Sequence, residues 1–171
     1  MIQHVARHAV GGTDRWQGEE PRSVVIHRDD DRSLSREVPP ELKQRHVRVN
    51  GAEAADVIAD FEVITRRDPR QAAGWTCLAW LQLLTEQPED ALRSAKTAVK
   101  LNAQDPQGRL NLALAMLETG AKGVREHIEI VKRVMVFSPE LGQELETSIA
   151  DGLQRRPGWP ALLKVQAWLA D

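Results

Sequence analysis

The sequence predicts an all-α chain of paired, stacked helices behind an irregular N-terminal arm. Three observations predict it. Apolar residues recur at three- and four-residue spacing from Ala54 to Leu169. Prolines punctuate that periodicity, at Pro69, Pro88, Pro106, Pro139 and Pro160. There is no Tyr, and Val, Ile and Thr seldom cluster, which argues against a large sheet.

Residues 1–49 form the arm. They are rich in Arg, Asp, His, Gly and Pro and carry no sustained period. Val24-Val25-Ile26 and His46-Val47-Arg48-Val49 can make two short strands, a ribbon that is marginal alone. Pro39-Pro40-Glu41 can open a helical turn.

Residues 50–171 form the helical domain. The first helix runs from Asn50 to Arg67: Asn50 caps it, Glu53 answers as in a capping box, and Ala54, Val57, Ile58, Phe61 and Ile64 make the apolar stripe. Asp68-Pro69 ends it. The spacing then predicts helices over 70–84, 88–101, 106–118 and 123–137. Ala79, Ala91, Ala95 and Ala98 allow close backbone approach, and Trp75, Leu78, Leu92 and Leu101 fill the space around them. Ser138-Pro139-Glu140 opens a sixth helix, with Ser as cap, that runs to Gln154. Pro157-Gly158-Trp159-Pro160 breaks it, and a last helix over 161–170 puts Leu162, Leu163, Val165, Gln166 and Leu169 near its core face.

The central stretch resembles the tetratricopeptide repeat. Its residues are Trp75, Leu78 and Ala79 on a first helix, Ala91, Ala95 and Ala98 on a second, then Pro106. Gln82 stands where that family usually has Tyr, and Pro106 comes a few residues late. The period recurs downstream: Leu112, Ala113 and Met116 follow Leu78, Ala79 and Gln82 by 34 residues (112 minus 78), and Pro139 follows Pro106 by 33 (139 minus 106). The resemblance implies a short right-handed solenoid of about three helical hairpins and a non-catalytic role as a protein–protein interaction or assembly scaffold. Two alternatives accompany it: a permanent structural subunit docked through the arm, and a chaperone-like accessory. The family's clamp for acidic C-terminal tails is not carried over. Only Asn111 matches it, Thr76 and Trp80 stand at the preceding repeat's Lys and Asn positions, and Glu140 and Glu144 reverse the charge in the following one.

Composition and motifs are consistent with that class. The net charge of -2 supplies no field for nucleic acid or an anionic membrane. The single Cys77 excludes an intramolecular disulfide framework. No stretch reads as a signal peptide or a membrane span, so a cytoplasmic location is expected. His4 and His8 share a helical spacing without a third ligand, and His27-Arg28-Asp29-Asp30-Asp31 lacks the Gly and distal Glu of a calcium loop. His127 reads as an exposed helical histidine. No nucleophile motif or phosphate-binding glycine loop occurs, so no enzyme activity and no cofactor are expected.

The candidate site follows from the resemblance, which lines a concave groove with the first helix of each pair. The inward positions are Thr76, Trp80, Leu83, Leu110, Asn111, Leu114 and Leu117, five of the seven large and apolar. Such a strip calls for a cover. The candidates are a partner's peptide or amphipathic helix, with Asn111 bonding its backbone, or the chain's own Val24, Val25 and Ile26. The alternative is that the helices curl until Trp80 and Leu114 are ordinary core.

Overall fold

The computed structural model describes residues 51–171, which lie within one compact unit. The arm, with its strands, its His4/His8 pair and its acidic turn, falls outside them, as do Asn50 and the Glu53 side chain of the expected capping box. The described residues form seven helices and no strand: α1 Gly51–Arg67, α2 Ala72–Leu84, α3 Pro88–Leu101, α4 Pro106–Glu118, α5 Val124–Phe137, α6 Pro139–Arg155 and α7 Pro160–Ala170.

The boundaries have local causes. Proline opens α3, α4, α6 and α7, where its missing N–H has no helical partner to lose. α2 starts two residues later than Arg70 because Gln71 is extended (φ -81°, ψ 100°), and its N–H closes a turn on the Asp68 carbonyl at 3.2 Å. Asp105 caps α4, its Oδ1 accepting from the Gln107 N–H at 3.1 Å. The α4–α5 loop needs two left-handed residues and places Gly120 (φ 72°) and Gly123 (φ 94°) there. Ser138 alone joins α5 to α6. Its N–H reaches Val134 O at 2.8 Å and its carbonyl accepts from Gly142 N–H at 3.0 Å. Its side chain makes no cap bond, contrary to the sequence expectation, so Pro139 and the backbone set that helix start.

Each helix packs on the next, and α2 also touches α4 while α7 touches α4 and α5. Ala79, Ala91, Ala95 and Ala98 are buried, as the small-residue pattern requires. A smaller cluster, Val57, Ile58, Phe61, Leu78 and Leu81, joins α1 to α2. The main core runs from α2 through α7. Three expectations about filling residues change. Trp75 is half-buried at the rim of the smaller cluster, its indole N–H tied to Pro69 O at 3.0 Å. Leu101, at the last turn of α3, is exposed. On α7, Leu162 and Val165 face the core while Leu163 and Gln166 face outward, and Trp168 packs under the Arg125 guanidinium at 4.2 Å.

Candidate functional site

The structure brings the seven expected groove residues together, but not as an open surface. Thr76, Trp80 and Leu83 on α2 meet Leu110, Asn111 and Leu114 on α4, and all six are buried. A polar chain fixes this contact. Asn111 Nδ2 donates to Thr76 O at 2.9 Å, and its Oδ1 accepts from Gln107 Nε2 at 2.8 Å. Thr76 Oγ1 donates to Asp105 Oδ2 at 2.9 Å, while the other Asp105 oxygen caps α4. Asn111 therefore bonds the chain's own backbone, in the place where a partner's was expected.

The cover comes from the C-terminal hairpin of α6 and α7. Trp159, itself buried, sets its ring 5.9 Å from that of Trp80 at a 38° tilt. α6 crosses Trp80 at Gly152, where a Cβ would lie 2.8 Å from both Trp80 Cη2 and Leu162 Cδ2. Arg156 locks the joint. Its Nη1 donates to Leu83 O at 2.6 Å and to Glu118 Oε1 at 3.1 Å, and its guanidinium lies 4.2 Å from the Trp159 ring centre. Glu118 Oε1 also accepts from the Trp159 indole N–H at 2.5 Å. Only Leu117 of the seven stays half-exposed, at the mouth of an open cleft beside Glu118, Arg156 and Lys164.

Gly152, Arg156 and Trp159 escaped the sequence reading, yet a signal for them exists. α2 is apolar nearly all round, AAGWTCLAWLQLL, and a helix of that kind is buried on several sides. A later element had to cover the face that α1 and α3 leave free.

Three further features lie outside the strip. Val136 and Phe137, the last residues of α5, are 78% and 85% exposed, and Phe137 borders a cleft of about 410 Å³ with Ile130, Val134 and Arg133. On the opposite face of α2 from Trp80, a cleft of about 380 Å³ opens between α1 and α3, floored by Leu78 and Gln82. His127 accepts, at Nδ1, a hydrogen bond from Arg109 Nη1 at 2.8 Å. Burial first, and then the Arg109 charge, lower its pKa from the usual 6.5, with Glu126 pulling the other way.

Among the described residues, no three His, Cys, Asp or Glu side chains converge to hold a metal ion, and no helix is long and apolar enough to cross a membrane. Set against protein-family models, curated proteins and solved structures, the chain matches none of them.

Proposed function

We propose that the chain is a non-catalytic protein–protein interaction module, a short right-handed solenoid of about three helical hairpins of the tetratricopeptide kind. Sequential helix packing and the buried alanines of α2 and α3 support that architecture. The inner strip is then the seat of the chain's own C-terminal hairpin, and the partner docks elsewhere. The observation that carries this reading is the Val136–Phe137 pair. One of only two Phe residues in the chain stands 85% exposed beside an exposed Val, at the edge of an apolar cleft. An exposed aromatic beside an exposed aliphatic side chain is the kind of anchor that interaction surfaces use.

The test is cross-linking and affinity capture from source cells with the wild-type chain and a Val136→Asp/Phe137→Asp variant. Both side chains already face water, so no core packing is lost, and the two carboxylates at the C-terminal end of α5 should cost no more than about 1–2 kcal/mol through its dipole. Loss of a hot spot of about 2 kcal/mol lowers partner affinity roughly thirtyfold. Recovery of the same partners at the same yield would refute the surface.

A further inference from the structure

The cleft between α1 and α3 is polar where a helix interface is normally apolar. Six polar side chains are buried among the described residues, and three of them, Thr65, Gln82 and Ser94, line this one cleft. Gln82 is 5% exposed, and its Oε1 has no hydrogen-bond partner. A buried acceptor without a donor costs roughly 1–3 kcal/mol, so a retained one calls for an explanation. An aliphatic residue in the same place on α2 would avoid that cost.

We propose that this cleft binds an uncharged, amide-bearing segment of a protein partner, with the Gln82 carboxamide pairing to the partner's amide group. Four observations select that chemistry. First, a carboxamide offers one donor and one acceptor, the same pair a peptide group or an Asn/Gln side chain presents; the Gln82 Oε1 is sealed from solvent as it stands, and turning about the last bond exchanges it with the Nε2 donor. Second, the hydroxyls of Thr65 and Thr97 spend their hydrogens on Glu62 O at 3.1 Å and Arg93 O at 3.0 Å. Their oxygens are left as acceptors, so they favour a guest that brings hydrogen-bond donors, as an amide does. Third, the rim charges are already paired, Arg66 with Glu62 and Arg93 with Asp90, so the cleft has no net charge with which to hold an ion. Fourth, the Trp75 indole N–H is occupied by Pro69 O, so its ring adds apolar wall and no further donor. Together these describe a slot for a neutral polar group flanked by apolar surface. The proposal rests on the reading of the chain as an interaction module and adds to it a second contact with its own chemistry.

The experiment uses the full-length, ¹⁵N-labelled chain and two small probes of equal size, acetamide and acetone, followed by NMR at the Gln82 side-chain amide and the Trp75 indole N–H. Acetamide should shift both signals saturably, with half-saturation at roughly millimolar concentration for so small a ligand. Acetone, which lacks the N–H donors, should bind at least about tenfold more weakly, the worth of one hydrogen bond. Gln82→Leu should lose acetamide binding by a similar factor without a lower unfolding midpoint. If that variant loses its helical circular dichroism, Gln82→Met takes its place. Equal shifts with the two probes, a response linear in concentration, or full acetamide binding by the folded variant would each overturn the proposal. Probe binding reports on the cleft alone, and partner capture by the Val136→Asp/Phe137→Asp chain reports on the module, so the two readings fail separately.

Discussion

Gly152→Ala tests how the C-terminal hairpin closes over the inner strip. The added methyl would lie 2.8 Å from Trp80 Cη2, 2.8 Å from Leu162 Cδ2 and 3.1 Å from Trp80 Cζ2. Carbon atoms prefer about 3.5–4.0 Å, so the ring, the leucine or α6 must move. Forcing one extra carbon into a packed core costs about 1–3 kcal/mol. Against this, Ala gains about 1 kcal/mol over Gly inside a helix. The net expectation is a loss of about 1 kcal/mol, or a Tm about 2–6 °C lower. Gly142→Ala supplies the control. It adds a methyl to the same helix, but its nearest neighbours are Met135 O at 3.5 Å and Met135 Cα at 3.6 Å, ordinary contacts. That variant should be as stable as the parent or gain up to about 1 kcal/mol. Thermal and urea unfolding, followed by circular dichroism at 222 nm, give both values. A Gly152→Ala chain at least as stable as the Gly142→Ala chain would refute the crossing of α6 over Trp80.

Trp80→Ala should cost about 3–5 kcal/mol of stability, because the ring is core and not partner surface, and a urea midpoint near the parent's would contradict its burial. Arg156→Met keeps the aliphatic stem but removes the bonds to Leu83 O and Glu118, with an expected loss of about 1.5–3 kcal/mol in equilibrium unfolding. Lowering pH should destabilise the fold through His127. Its folded pKa lies below the unfolded value of about 6.5, so its stabilisation is complete above that pH and is lost as pH falls through the folded value. A His127→Gln chain should show a flatter fall in urea midpoint between pH 7.5 and 5, and parallel curves for the two chains would remove His127 as a cause.

Much of the fold was legible because its signals are local. Pro88, Pro106 and Pro139 mark helix starts whatever else the chain does, and the apolar period from Val57 to Leu169 names the faces that turn inward. The small-residue contact of Ala91, Ala95 and Ala98 was legible for the same reason. The state of the candidate strip was not, because period reveals which face must be covered and not which element covers it. Trp80 reads alike whether its neighbour is a partner helix or α6, 72 residues further on (152 minus 80). The same limit explains Leu163: its spacing fits the core face of α7, but rotation against α4 and α6 is decided by Leu162 and Gly152, which meet across the hairpin. Gln82 was visible as a departure from the family pattern. That it stands beside Thr65 and Ser94, from two other helices, was visible only in three dimensions.

The chain of bonds through Asn111, Thr76, Asp105 and Gln107 carries a consequence for how the two inner helices find each other. Leu83, Leu110, Leu114 and the alanines around them attract without direction, so hydrocarbon alone distinguishes weakly between alignments one helical turn, about 5.4 Å, apart. Asn111 cannot slide with them. One turn away, its carboxamide would be sealed in the core without Thr76 O, and the Thr76 hydroxyl would lose Asp105 at the helix cap. The apolar residues therefore decide that α2 and α4 associate, and the asparagine decides where along their length they stop. Replacing it with leucine would keep the attraction and leave only the Thr76–Asp105 bond to hold the register, giving a chain that stays helical and compact but fixes the alignment of its central helices less firmly.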